Sequence, residues 1–258
     1  MKKRFEKERL KKGIYILPNL CTTLNVFCGF YAIVASIEGE YLAGAISILV
    51  ATIFDSLDGK IARATNTSSQ FGVEYDSLAD LISFGLAPGI MMFLWALKPM
   101  GRIGWLAAFL FMVCGALRLA RFNTNTDTIS SDFFQGLPIP ASAGMVATSM
   151  LFFQSMNIPG DKFPALILVM LYSLGFLMVS NIKYNSFKKR TASFKTMNFN
   201  TLVIAVLALI FIAAQPSIAL FSICFLYVLS GPFHLIWTRA RHKKNDANSA
   251  KKEKPDSL

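Results

Sequence analysis

The chain has 258 residues, of which 54% are hydrophobic and 16% charged, and its 26 Lys and Arg against 15 Asp and Glu give a formal net charge of +11. A soluble domain of this length carries more charge and a more broken apolar pattern, so the composition excludes an ordinary soluble globule. Positive charge suits either nucleic acid or anionic lipid, but the bases gather at the two ends and in a few connections, with no basic face, which argues against nucleic acid and for loops that face a lipid surface.

Apolar runs near the ~20 residues needed to cross a bilayer recur along the chain. They predict an all-α polytopic membrane protein with about eight spans, at residues 17–37, 41–62, 72–97, 103–119, 138–156, 163–182, 199–214 and 217–237. Residues 1–16 are basic, with Phe5, Leu10, Ile14 and Ile16 interspersed, and suit either an interfacial helix or a solvated tail. No small-residue cleavage site follows them, so a removable signal peptide is not expected. Residues 17–238 form the expected transmembrane catalytic unit, and the basic stretch 239–258 is expected to be disordered.

Charge placement orients the spans. With the N-terminus in the cytoplasm, only Lys98, Arg102 and Lys162 of the Lys and Arg residues fall in or beside an outer turn. An even number of spans keeps both basic ends inside, in a cytoplasmic membrane. Cys21, Cys28, Cys114 and Cys224 lie in or near apolar runs without metal-ligand spacing, and read as small buried hydrophobes.

Charged residues inside a span are costly and usually functional. The second span ends IFDSLDGKIAR and the third begins FGVEYDSLADLISFG. Asp55 and Asp58 are three apart and Asp76 and Asp80 four apart, so each pair shares a helical face. The short connection ATNTSSQ makes the two helices antiparallel neighbours, and all four carboxylates converge near one surface. Such a group cannot stay fully ionised without a cation. Oxygen ligands favour a hard ion, Mg²⁺, Mn²⁺ or Ca²⁺. Gly59, Ala62 and Gly72 allow close approach of a ligand or helix, and Arg63 can pair with a phosphate. On carboxylate clustering alone, an enzyme and a cation-coupled transporter both fit. A transporter would show broken helices near the midplane and related halves; neither is evident.

The full spacing Asp55-x2-Asp58-Gly59-x2-Ala62-Arg63-x8-Gly72-x3-Asp76-x3-Asp80 resembles the signature of the CDP-alcohol phosphatidyltransferase family, with eight fixed residues over 26 positions. The segments LPNLCTTLNVFCGF, SLADLISFGLAPG, GALRLARFN, FQGLPIPA and MVSNIKYNSFK are similar to the CDP-diacylglycerol–serine O-phosphatidyltransferases within it. The resemblance implies a six-helix membrane core, a homodimer, and a cytoplasm-facing metal site with one or two ions, built by Asp55, Asp58 and Asp76 with Asp80. It implies Asp80 as general base, CDP-diacylglycerol and serine as substrates, and phosphatidylserine and CMP as products. Glycerol 3-phosphate, inositol phosphate or choline is the alternative acceptor. Gly59, Ala62, Arg63 and Gly72 are expected at the nucleotide. Asn19 and Thr22 match a position near it, or are helix-packing polar residues. Arg118 and Arg121 suit a phosphate or carboxylate, or snorkel at the membrane border. Lys183, Tyr184 and Lys188 are further candidates for lipid phosphate or serine. Asp127 and Asp132 lie in a polar loop that closes over a site or merely connects.

Overall fold

The computed structural model describes residues 2–65, 67, 69–124, 133–185 and 213–252. Helix α1 (Lys2–Ile37) runs without a break from the basic N-terminal stretch into the first span, and α2 (Tyr41–Ala64) returns against it. A single rod, Gln70–Met100, follows. It comprises α3 (Gln70–Asp80), a π turn (Leu81–Leu86), α4 (Ala87–Met92), a second π turn (Phe93–Leu97) and a 3₁₀ turn (Lys98–Met100). Among the described residues, helices α5 (Arg102–Thr124), α6 (Ile139–Ser155), α7 (Pro164–Val179) and α8 (Pro216–Lys252) follow.

Five described segments are long and apolar enough to cross a membrane: Ile16–Ile37, Tyr41–Ala64, Gln70–Met100, Arg102–Thr124 and Pro216–Phe233. The fifth and sixth expected spans are the shorter helices α6 and α7, of 17 and 16 residues. The seventh, 199–214, lies outside the described residues except for its last two. Helix α8 continues to Lys252, through most of the stretch expected to be disordered. Lysine, arginine and alanine are favourable helix residues, so a started helix propagates beyond its apolar part.

Helix α6 is the centre of the bundle. Its small residues, in the run PASAGMVATS, let α2 and α8 approach closely, and eleven of its residues are buried. Helix α5 packs on α7. The π turn after Asp80 has a local cause. Pro88 has no N–H to continue the ladder, and the Ala87 N–H reaches back five residues to Ile82.

Two three-residue strands form one ribbon. In β1 (Phe133–Gln135) and β2 (Lys183–Asn185), Phe133 pairs with Asn185, Phe134 with Tyr184 and Gln135 with Lys183, antiparallel. Gly136 follows at φ +77, where a Cβ would overlap the Met178 and Ser180 carbonyls, so only glycine lets the ribbon dock on the end of α7. The four cysteines are free.

Candidate active site

Helices α2 and α3 are joined by five residues, and Ser69 caps α3 by accepting the Gly72 N–H at 3.0 Å. This turn sets the four aspartates facing one another. One carboxylate oxygen from each of Asp55, Asp76 and Asp80 lies within 4.8 Å of the others. Asp58 stands beside this trio. It is buried, and Thr22 Oγ1 donates to its Oδ2 at 2.9 Å. Asp80 is also buried, and Asn25 Nδ2 donates to its Oδ1 at 3.3 Å.

Each ionised pair at that 4.8 Å separation repels by about 3 kcal/mol or more at an effective dielectric constant of about 20. Asp76 Oδ1 is buried without a hydrogen-bond partner among the described residues. Clustered hard oxygens with an unsatisfied carboxylate atom fit a divalent cation of the Mg²⁺ or Mn²⁺ kind.

An open cleft runs from Asp76 and Asp58 toward the start of the α1 span. Asn19, Thr22, Gly59, Ala62, Arg63 and Gly72, the residues singled out by sequence for a nucleotide, all line it, together with Pro18, Thr67, Ser69 and Val73. Gly59 and Gly72 leave the wall open where side chains would narrow it. Asn123 of α5 donates to Ser77 Oγ at 3.0 Å and ties α5 to α3.

The structure separates the two arginines that sequence grouped. Arg118 is buried at 8% exposure, within electrostatic reach of Asp80 and Tyr227, and its Nε has no hydrogen-bond partner among the described residues. Arg121 is occupied: it donates to the Val179 carbonyl and to Asn181 Oδ1, both at 3.1 Å, and to the Ser180 carbonyl at 3.3 Å. These are carbonyls at the end of α7, so Arg121 caps that helix. Helix α7 stops at Val179, three residues short of the expected span end, because Ser180 turns extended at ψ 160.

Tyr184 is fully buried and its hydroxyl donates to the Val228 carbonyl at 3.1 Å, a packing contact with α8. Lys183 lies in β2, while Lys188, Asp127 and Asp132 fall outside the described residues. Sequence reasoning passed over Asn25, although an amide in the middle of an apolar helix is itself a signal, since it must find a partner there.

The fold and site together define a multi-pass helical membrane protein with a convergent carboxylate site. The sequence profile described as CDP-alcohol phosphatidyltransferase matches residues 15–179, and the chain belongs to that family.

Among curated proteins, the chain is 38% identical over 208 residues to a CDP-diacylglycerol--serine O-phosphatidyltransferase of Helicobacter pylori strain 26695, covering 81% of this chain and 86% of that one. The protein of the same name from Helicobacter pylori strain J99 is 36% identical over 237 residues, 92% of this chain and 98% of its own. An archaetidylserine synthase of Methanothermobacter thermautotrophicus is 38% identical over 172 residues, 65% of this chain and 69% of its own.

Proposed function

We propose that this chain transfers the phosphatidyl group of CDP-diacylglycerol to the hydroxyl of L-serine, giving phosphatidylserine and CMP. The observation that carries the proposal is the junction of two features: three convergent carboxylates, and a cleft lined by every residue expected at the nucleotide. The relatives' names support serine as acceptor, since they attach serine to two differently named lipids.

Asp55, Asp58, Asp76 and Asp80 would hold one or two divalent cations, Mg²⁺ or Mn²⁺. A cation bound there supplies charge neutralisation at the pyrophosphate. The chain's own groups do the rest. The cleft holds the nucleotide, with Gly59, Ala62 and Gly72 against it and Arg63 at its phosphates. Asp80 takes the proton from the serine hydroxyl as that oxygen bonds to the phosphorus nearest the lipid. The bond from this phosphorus to the bridging oxygen breaks, and CMP leaves with the electron pair. Arg118 offers its unpartnered guanidinium N–H to the serine carboxylate. Residues 17–238 are the catalytic unit, with the site and both termini on the cytoplasmic side by charge placement, and the working form is a homodimer.

The test is CMP release by purified protein in detergent with CDP-diacylglycerol and Mn²⁺ or Mg²⁺. Serine, glycerol 3-phosphate, inositol phosphate and choline are added one at a time. Release that needs serine and metal, and is lost in Asp80→Asn, is the expected result. Release with a different alcohol overturns the serine assignment, and full activity after chelation overturns the metal.

A further inference from the structure

Asn25 lies in the apolar part of α1 and is completely buried. Its Nδ2 donates to Asp80 Oδ1 at 3.3 Å. Only the amide nitrogen can face an ionised carboxylate, so Oδ1 turns away. That oxygen is buried and has no hydrogen-bond partner among the described residues. An unsatisfied buried carbonyl is a cost that leucine, of similar size, would avoid. Packing therefore gives no reason for an amide at this position. What remains is the N–H that it directs at Asp80.

The surroundings hold that N–H in place. Ser83 Oγ donates to the Asn25 backbone carbonyl at 2.9 Å, and both residues are fully buried. One turn further along α1, Gly29 lacks a Cβ that would overlap Ser83. The Asn25 backbone is thus pinned to a residue three positions beyond Asp80, and its side chain reaches back to the carboxylate. Asp80 is the last α-helical residue before the π turn Leu81–Leu86. A carboxylate at such a seam has more than one staggered rotamer open to it, and a donor fixed on another helix selects one of them.

We infer that Asn25 is the positioning residue for Asp80: its amide holds the carboxylate in the orientation from which it takes the acceptor's proton. The inference rests on the reading of Asp80 as base. It assigns to α1 a part in the chemical step, separate from substrate binding.

The experiment compares wild type, Asn25→Leu, Asn25→Asp and Asp80→Asn in detergent at saturating Mn²⁺. It measures kcat, the KM for serine, the KM for CDP-diacylglycerol and the thermal unfolding midpoint. Asn25→Leu is expected to fold and to lose kcat by about a hundredfold, the scale on which misplacement of a reacting group is felt. Both KM values should stay within about threefold, since the substrates' own contacts are untouched. Asn25→Asp keeps the shape but replaces the donor with a like charge, and should lose at least as much kcat. Near-wild-type turnover of Asn25→Asp shows that shape suffices and overturns the inference. So does a raised KM with kcat retained, or a loss that only follows the folded fraction. If Asn25→Leu fails to fold, Asn25→Asp decides alone. Full turnover in Asp80→Asn would instead show that the base itself is wrongly assigned; an inactive Asp80→Asn beside an active Asn25→Asp would fail Asn25 alone.

Discussion

Replacing Gly59 with alanine should stabilise the protein and impair it at once. Gly59 sits within α2, in helical backbone, and a Cβ there would meet only the Arg63 guanidinium, at 3.5 Å from Nη1 and 3.7 Å from Nη2. That is ordinary contact, so the empty fold has room. Alanine in place of glycine in a helix interior is worth about 0.5–1 kcal/mol. For a chain of this size that is about 1–4 °C in Tm. The same methyl group, however, stands in the cleft wall and against the arginine that would meet the phosphates. Overpacking a fitted site by one carbon costs about 1–3 kcal/mol, or about five- to a hundredfold in affinity. Steady-state kinetics should therefore show the KM for CDP-diacylglycerol raised by about tenfold, with the KM for serine unchanged and Tm raised. Gly72 is a less clean probe, because its added Cβ would lie 3.2 Å from Ser69 Oγ, the cap of α3. A Gly59→Ala protein with higher Tm and an unaltered KM for the CDP-lipid would refute the placing of the nucleotide in this cleft. A lower Tm would refute the claim that the glycine is there for ligand and not for packing.

The two arginines should separate in the same assay. Arg118→Met loses a charge-assisted contact worth about 1.5–3 kcal/mol and should raise the KM for serine by about tenfold or more, while Arg121→Met should leave that KM alone and lower Tm, since it uncaps α7; equal effects on serine would contradict the division. Tyr184 gives a pH test: burial first, then Tyr227, pushes its hydroxyl up to about 12. The folded state thus holds the proton more tightly than the unfolded chain, so the stability involved is intact below about pH 10 and is lost as pH climbs toward 12. The Tm advantage of wild type over Tyr184→Phe, from the bond to Val228, should therefore shrink across that window, and a constant difference would show that the hydroxyl does not titrate there.

The aspartates were legible because their signal is local. Spacings of three and four fix a shared helical face, and a connection of five residues fixes the neighbour, so Asp55, Asp76 and Asp80 had few other places to go. Gly59, Ala62, Arg63 and Gly72 read locally as room for a ligand and a partner for phosphate, but their place at a nucleotide, like that of Asn19 and Thr22, needed the resemblance. What sequence did not reveal depends on contacts between distant segments. Arg118 and Arg121 look alike at three residues' separation, yet one faces the interior near Asp80 and the other reaches the end of a helix some 60 positions away. Tyr184 reads as a candidate for lipid phosphate or serine until β1 and β2 pair and its ring is found buried against α8. The short lengths of α6 and α7 were likewise hidden. An apolar run ends on the page where polar residues begin, but α7 ends where Ser180 turns and Arg121 supplies the missing donors.

Helix α1 ties these features together. Pro18, Thr22, Asn25 and Gly29 recur at intervals of four, three and four, which is one face of a helix. Each meets a different part of the site: Pro18 the cleft, Thr22 Asp58, Asn25 Asp80, and Gly29 Ser83. At 1.5 Å per residue, Asn25 lies about 10 Å further along α1 than Pro18. The face is therefore a graded one, with the nucleotide cleft at its N-terminal end and the base about two turns on. That order suits the proposed reaction. The base must act beside the phosphorus that stays with the lipid, beyond the phosphate that leaves with the nucleotide. A stripe of polar and small residues on an otherwise apolar first span is thus the ruler against which α2 and α3 set their carboxylates.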